Sequence, residues 1–157
     1  YSPRLPRPHR VLSEENIPEI ECLFLDVFTH DPWNDDWSNK DQLRNYLIDI
    51  ISNKNSLTLG LYNNDKIKGL SLGNIIHWCS GTEYYIREFF INREDQNKGF
   101  GSIFINRIQD YLIGNGIKAM ILSTEIGTPA YDFYIKNDFK ELEKNRFFYK
   151  SLSANKE

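Results

Sequence analysis

The sequence is short of several things, and each shortage narrows what the protein can be. Only two cysteines occur, Cys22 and Cys79, far apart and without the spacing of metal ligands. That argues against a disulfide scaffold and against a zinc site, and a reducing cytoplasm is the expected compartment. No apolar run approaches the roughly 20 residues that a membrane-spanning helix needs, and no secretory signal is visible, so no membrane partner is expected. Basic charge is also scarce: the formal net charge is -3, and three of the arginines sit within residues 1–10. The remaining body is more acidic still. That speaks against nucleic acid, which would call for a basic stripe, and suits a cationic small molecule such as an amine. Internal repeats, low-complexity tracts and a linker after residue 12 are all missing.

What is present is ordinary for a globular chain. With 157 residues, 40% hydrophobic and 26% charged, one domain with one buried core is expected. Residues 1–10 stand apart, carrying three prolines and no acid. They read as an added, processed or flexible arm, with the fold spanning 11–152 and a tail at 153–157.

Helical spacing of Ile17, Ile20, Phe24, Val27 and Phe28 behind Ser13 predicts a first helix over 14–28. A turn with two embedded tryptophans follows at 29–37. Ser38 and Asp41 then form a capping-box pattern ahead of Leu43, Leu47, Ile50 and Ile51. Alternating Leu57, Leu59 and Leu61, a turn at Asn63-Asn64-Asp65, and a run over 67–76 predict a hairpin. The stretch 83–92 reads as a strand buried on both faces. A third helix carries Phe104, Ile108, Tyr111 and Leu112 and stops at Gly114-Asn115-Gly116. A strand over 117–124, a short helix over 129–137 and a closing hairpin over 139–142 and 146–152 complete the order β-α-α-β-β-β-α-β-α-β-β. This is an α/β fold with a mixed central sheet.

Between the buried strand and the third helix stands Gln96-Asn97-Lys98-Gly99-Phe100-Gly101-Ser102. The first N–H groups of a helix lack internal partners and lie at the positive end of its dipole, so such a junction can cradle phosphate. Gly99 and Gly101 allow a sharp turn and close backbone approach, Lys98 adds a cation, and Ser102 adds a hydroxyl. A dinucleotide fingerprint would need a glycine where Phe104 stands, and a P-loop would need Lys-Ser or Lys-Thr after Gly101. The Gln/Arg-x-x-Gly-x-Gly/Ala signature for the pyrophosphate of coenzyme A is met in full. Read alone, the hexapeptide is equally an ordinary tight turn with glycines for packing.

Its surroundings decide between those readings. Phe89-Phe90-Ile91-Asn92 running into Gln96-x-x-Gly99-x-Gly101, then Ile121-Leu122-Ser123-Thr124, then Ala130-x-x-x-Tyr134 with Phe139, resemble the GCN5-related N-acetyltransferase (GNAT) family. The element order over 11–152 matches that family's fold, with the specific motifs confined to about 83–139. Two departures stand out. Gly127-Thr128-Pro129 replaces a frequent asparagine, and Asp138 replaces the usual glycine before Phe139. Aspartate tolerates a left-handed turn, so that turn is expected to survive.

The resemblance implies acetyl-CoA as the acyl donor, held by Phe89, Phe90, Ile91, Gln96, Asn97, Lys98, Gly99, Phe100, Gly101 and Ser102. It implies direct attack by an amine in a ternary complex. A free alkylamine is mostly charged at pH 7, and its deprotonation costs on the order of 4–5 kcal/mol. A carboxylate can accept that proton, directly or through water. Glu88 lies just upstream of the cradle where the family often carries an acid, with Glu83 and Glu125 as weaker alternatives. Against this stands a structural ion pair between Glu88 and Arg87. Tyr134 falls where the family places a tyrosine able to protonate the departing thiolate, against a packing role for one tyrosine among nine. The strands are expected to splay near Phe89 and Ile91, leaving backbone for the pantetheine arm and a donor for the thioester carbonyl.

For the acceptor, Asp31, Trp33, Asp35, Asp36 and Trp37 form an acidic, aromatic loop suited to a cationic amine. They also read as a solvated turn whose tryptophans plug the core. His30 and His77 are expected to pack or face solvent, and Cys79 to be a buried apolar residue. The acceptor is thus expected to be a small cationic amine, aminoglycoside- or polyamine-like. Alternatives are a protein or peptide amine, transfer to a hydroxyl or of a longer acyl group, and a module that binds acyl-CoA without turnover. Dimers are common among proteins of this resemblance, so a homodimer is compatible with it.

Overall fold

The computed structural model describes residues 9–153. After a 3-10 turn at Glu14–Asn16, helix α1 spans Ile17–Phe28 and helix α2 spans Lys40–Ile51. Both are amphipathic. α1 buries Ile17, Ile20, Leu23, Phe24, Val27 and Phe28, and α2 buries Leu43, Leu47, Ile50 and Ile51. The cap of α2 lies one residue later than the expected pair: the Asn39 side chain accepts from Gln42 N–H at 3.1 Å. Ser38 instead donates its backbone N–H to Asp36 at 3.0 Å. Asparagine competes well with serine as a cap, and the backbone turn at Asp36 decided between them.

Five strands, one before these helices and four after them, form a mixed sheet of spatial order β1-β2-β3-β4-β5: β1 His9–Leu12, β2 Ser56–Asn63, β3 Lys66–Trp78, β4 Gly81–Ile91 and β5 Ala119–Ile121. The first three junctions are antiparallel, and β4 with β5 is parallel. His9 and Arg10 belong to β1, so the segment assigned to an arm reaches into the sheet; residues 1–8 lie outside the described part. Asn64 and Asp65 both have positive φ (50° and 63°), the two-residue turn whose twist suits a hairpin.

α1 and α2 cover one face of the sheet, packing with Leu70, Leu72 and Phe90. Helix α3, Phe100–Gly114, covers the other with Phe104, Ile108 and Leu112 against Leu59, Leu61, Tyr84 and Ile86. β4 is therefore interior, as its sequence implied, and contributes to both cores.

The feature that most shapes the site is a bulge in β4. Leu72 pairs with Glu88, but the next residue, Gly73, pairs with Ile86, so Arg87 is the extra residue. Side chains alternate along a strand, and an inserted residue reverses which parity faces which side. Before the bulge, Tyr84 and Ile86 face α3; after it, Phe90 faces the α1–α2 side and Phe89 and Ile91 face α3. Without the bulge, Glu88 would share the α3 face with Ile86.

Backbone contacts divide the chain into two compact units after Ser123. In the second, helix α4, Pro129–Lys136, is capped by Thr128, whose side chain accepts from Tyr131 N–H at 3.2 Å. Asp138 takes φ +68°, the left-handed turn expected of it. Two expectations fail. The strand over 117–124 shortens to Ala119–Ile121, and the closing hairpin over 139–152 does not form among the described residues. Phe147, Phe148 and Tyr149 are 83%, 96% and 92% exposed. Strand preference of aromatic residues is realised only where a paired, half-buried surface receives them, and these have no ladder partner among the described residues.

Candidate functional site

At the end of β4 the chain makes a 3-10 turn over Arg93–Asp95 and then passes through Gln96-Asn97-Lys98-Gly99 into α3. Three contacts hold this loop. Asp95 is buried and paired with Lys68 at 3.2 Å. Arg93 pairs with Asp26 of α1 at 3.3 Å. Gln96 donates from its side-chain amide to the Ile91 carbonyl at 3.0 Å, tying the turn back to its strand. Asn97 (φ +62°) and Gly99 (φ +84°) take left-handed conformations, and Gly99 is the N-cap of α3.

The first N–H groups of α3, on Phe100, Gly101 and Ser102, precede the first bond back to the cap, which Ile103 N–H makes to Gly99 O at 3.2 Å. A Cβ built on Gly99 would meet nothing within 4 Å, so the approach to those N–H groups is open. An anion of pyrophosphate size fits the chemistry of this turn, with Lys98 exposed beside it.

β5 pairs with β4 only at Glu83, Tyr84 and Tyr85. Over 86–91 no described strand pairs with β4 on that side, so this edge of β4 carries no described ladder from just before the bulge to the strand end.

Glu88, re-aimed by that bulge, meets α2. Tyr46 donates its hydroxyl to Glu88 Oε1 at 2.5 Å. Tyr46 itself stacks on Trp37 (5.6 Å between centroids, 21°), and Trp37 stands edge-on to Phe24 at 5.5 Å. The carboxyl titrates above its ordinary value: burial pushes it up, the Tyr46 hydrogen bond draws it back, Asp35 pushes it up and Arg87 lowers it. The Tyr46 phenol is held protonated by burial and by the neighbouring carboxylate. The rival ion pair is not formed; Arg87 instead lies over the Tyr85 ring at 5.2 Å, and no described cation lies within salt-bridge distance of Glu88. A half-buried carboxylate with a raised pKa and one fixed hydrogen bond is suited to proton abstraction.

Tyr46 was not among the residues singled out by sequence. Its signal was available: it falls between Leu43 and Leu47 and four before Ile50, on the buried face of α2.

The acidic loop divides in role. Trp37 packs inward, and Trp33 lies over Phe28 at 5.7 Å with 39% of its surface exposed. Asp31 accepts from Asn34 at 2.6 Å, and Asp35 bonds through its backbone N–H to Phe28 O at 2.8 Å. Asp35 is the loop acid that acts on Glu88. Glu83 pairs across to Ile76 and Ala119, five residues before Glu88 on β4.

In the second unit, Tyr134 is half-buried between Phe133 and Phe139, each 5.3 Å away by ring centroid. Glu125 is exposed, and its carbonyl accepts from Thr128 Oγ1 at 2.8 Å. His30 bonds Asp26 O at 2.7 Å and His77 bonds Thr82 Oγ1 at 3.1 Å, both at the surface. Cys79 is exposed, not buried, because it sits in the β3–β4 turn. No described group of three or more His, Cys, Asp or Glu residues could hold a metal ion, and no described helix is long and apolar enough to cross a membrane.

Residues 17–139 match the model of the Acetyltransferase (GNAT) family. Compared with curated protein sequences, the chain has no significant match. Among solved structures it is similar to an aminoglycoside acetyltransferase, meta-AAC0020, from an uncultured soil metagenomic sample in complex with sisomicin. That match has a TM-score of 0.70 at 18% identity, covering 92% of this chain and 95% of that one. A possible acetyltransferase from Clostridium difficile 630 superposes with TM-score 0.76 at 15% identity, over 92% and 97%. A transcriptional regulator from Bacillus halodurans C-125 does so with TM-score 0.70 at 15% identity, over 90% and 98%. At these identities the likeness is one of fold.

Proposed function

The chain belongs to the GNAT acetyltransferase family, and from that premise we propose that it transfers an acetyl group from acetyl-CoA to the primary amine of a small cationic acceptor, aminoglycoside-like in character. The observation that carries this reading is Glu88, turned by the β4 bulge onto Tyr46, three residues before the strand end that leads to the open Gly99 turn. The family match and the likeness to an aminoglycoside acetyltransferase support it; the acceptor is our inference.

When bound, acetyl-CoA supplies an acetyl thioester. The N–H groups of Phe100, Gly101 and Ser102, with Lys98 and Asn97 beside them, would receive its pyrophosphate, and Gln96 keeps the turn seated against Ile91. The unpaired side of β4 over 86–91 offers backbone to the pantetheine arm. Glu88 accepts a proton from the acceptor's ammonium group, which leaves the neutral amine free to attack, and acids of the 29–37 loop attract the cation before that transfer.

A panel of primary amines with acetyl-CoA, followed by free-thiol release, tests the proposal. Stimulated release with at least one amine is expected. Binding of acetyl-CoA without release for any amine would favour a non-catalytic binding module on the same fold.

The Tyr46–Glu88 contact makes a signed prediction. A hydrogen bond to the charged carboxylate favours that form, so its loss in Tyr46→Phe raises the Glu88 pKa further. The base works only when ionised. The acid limb of kcat/KM is therefore expected to move to higher pH in Tyr46→Phe, with the plateau rate falling less than in Glu88→Gln. An unmoved limb counts against the contact.

Tyr134→Phe is expected to lower kcat about tenfold. A thiol near pKa ~8.5 is already a fair leaving group at neutral pH, so its protonation contributes less than deprotonation of the amine. Equal kcat values for the two proteins would assign Tyr134 to aromatic packing alone.

A further inference from the structure

We propose that Lys68 of β3 is a positioning residue for the acyl donor. Through its buried contact with Asp95 it seats the turn ahead of α3 and cancels a negative charge that would otherwise repel the donor's diphosphate. This rests on the acetyl-transfer reading and assigns part of the donor affinity to a strand outside the glycine turn.

Lys68 grips the turn at both ends. Its backbone carbonyl accepts from Asn92 N–H at 2.8 Å, just past the end of β4. Its ammonium reaches Asp95, the last residue of the 3-10 turn, at 3.3 Å from Oδ1 and 3.2 Å from Oδ2. Gln96 follows at once and opens the glycine turn. The other described ion pair on this segment, Arg93 with Asp26, has side chains 43% and 44% exposed, and pairs so exposed hold little. Asp95 is only 7% exposed, so its contact with Lys68 is the stronger anchor.

The charge in this contact calls for a reason. An apolar pair of similar volume would seat a turn as well as a buried ion pair does. An acid beside an anion-binding turn is also unfavourable in itself, because its field opposes the incoming phosphates. Asp95 Oδ2 takes no hydrogen bond from any described residue, and no second described cation lies within salt-bridge distance of the carboxylate. Its compensation therefore falls to Lys68.

The two partners should consequently act with opposite signs. Lys68→Met leaves the carboxylate alone beside the turn. Asp95→Asn is nearly isosteric, and an amide oxygen there still accepts from the Lys68 ammonium, so the seat remains while the repelling charge is gone. A contact that only held the turn in place would weaken donor binding in both variants.

Calorimetric titration with coenzyme A should give a dissociation constant about tenfold higher in Lys68→Met and about threefold lower in Asp95→Asn than in the wild-type chain. Combining the two substitutions should recover most of the loss, since no charge is then left buried without a partner. In thiol-release assays KM for acetyl-CoA should move in the same order, and kcat at saturating donor much less, because Glu88 is untouched. Inorganic pyrophosphate should shift the backbone amide resonances of Phe100, Gly101 and Ser102 in the wild-type chain, and at lower concentration in Asp95→Asn, a readout independent of turnover and of how Lys68→Met folds. Weaker binding in Asp95→Asn, unchanged affinity in Lys68→Met, or a double variant as weak as Lys68→Met each overturn the proposal and leave the acetyl-transfer reading standing. If pyrophosphate shifts those amides in the expected order but coenzyme A binds none of the proteins, the acetyl-transfer reading fails while the control of the anion turn by Lys68 and Asp95 stands.

Discussion

Glu88→Gln is expected to lower kcat for amine acetylation by about 10²-fold or more and to abolish the acid limb of the pH profile. The magnitude follows from what a positioned base contributes, on the order of 10²–10⁴-fold. The substitution is nearly isosteric, and glutamine still accepts the Tyr46 hydroxyl proton, so α2 and β4 should keep their contact. What is lost is the capacity to hold a proton taken from the ammonium. Because burial raises the Glu88 pKa, the acid limb in the wild-type chain should lie above that of a free carboxyl group. Raising the pH to supply free amine should partly restore the variant, since the alkylamine then deprotonates in solution. A variant as active as the wild type across that range would remove Glu88 from the chemistry and direct attention to Glu83.

Gly99→Val should act just beyond the same end of β4 and on a different parameter. Gly99 caps α3 at φ +84°, a conformation that costs an L-residue roughly 1–2 kcal/mol, and more for a β-branched one. The space above it is open, so the penalty is conformational and not a clash with the protein. Two results are expected: a modest loss of stability, and a rise of about tenfold or more in KM for acetyl-CoA. The second arises because a side chain would intrude where a pyrophosphate approaches the N–H groups of Phe100, Gly101 and Ser102, and because the turn that aims them would relax. The kcat at saturating donor should change much less, since Glu88 is untouched. A lower melting temperature with unchanged KM would mean that the turn is merely a packing device.

The two variants separate the site into parts that the sequence revealed unequally. The Gly99 turn is local. Its glycines, its lysine and the helix behind it are consecutive, and Gln96 bonds back to Ile91 five residues away, so its shape could be read from one short stretch, whereas the Lys68 and Asp26 partners that anchor the preceding turn could not. The amphipathic helices α1, α2 and α3 were legible for the same reason, since spacing along the chain states which face is buried. The turn at Asp138 was legible too, because tolerance of the left-handed conformation belongs to the residue itself.

The closing hairpin was not. A strand's stability lies in a partner that can be anywhere in the chain, and the aromatic run at Phe147, Phe148 and Tyr149 carries strand preference without a ladder to use it. The length of β5 depends likewise on its partner, and its pairing with β4 stops at Tyr85 although β4 runs on to Ile91.

By itself, then, the sequence determined the glycine turn ahead of α3, the helices and the α/β class, because spacing and turn chemistry along the chain state each of them. Only the tertiary structure decided that Glu88 faces α2 and not α3, and that Tyr46 is its partner 42 residues away. The physical reason is the single extra residue at Arg87: it reverses the alternation of β4, and nothing in the local sequence announces a register shift that depends on how β3 pairs.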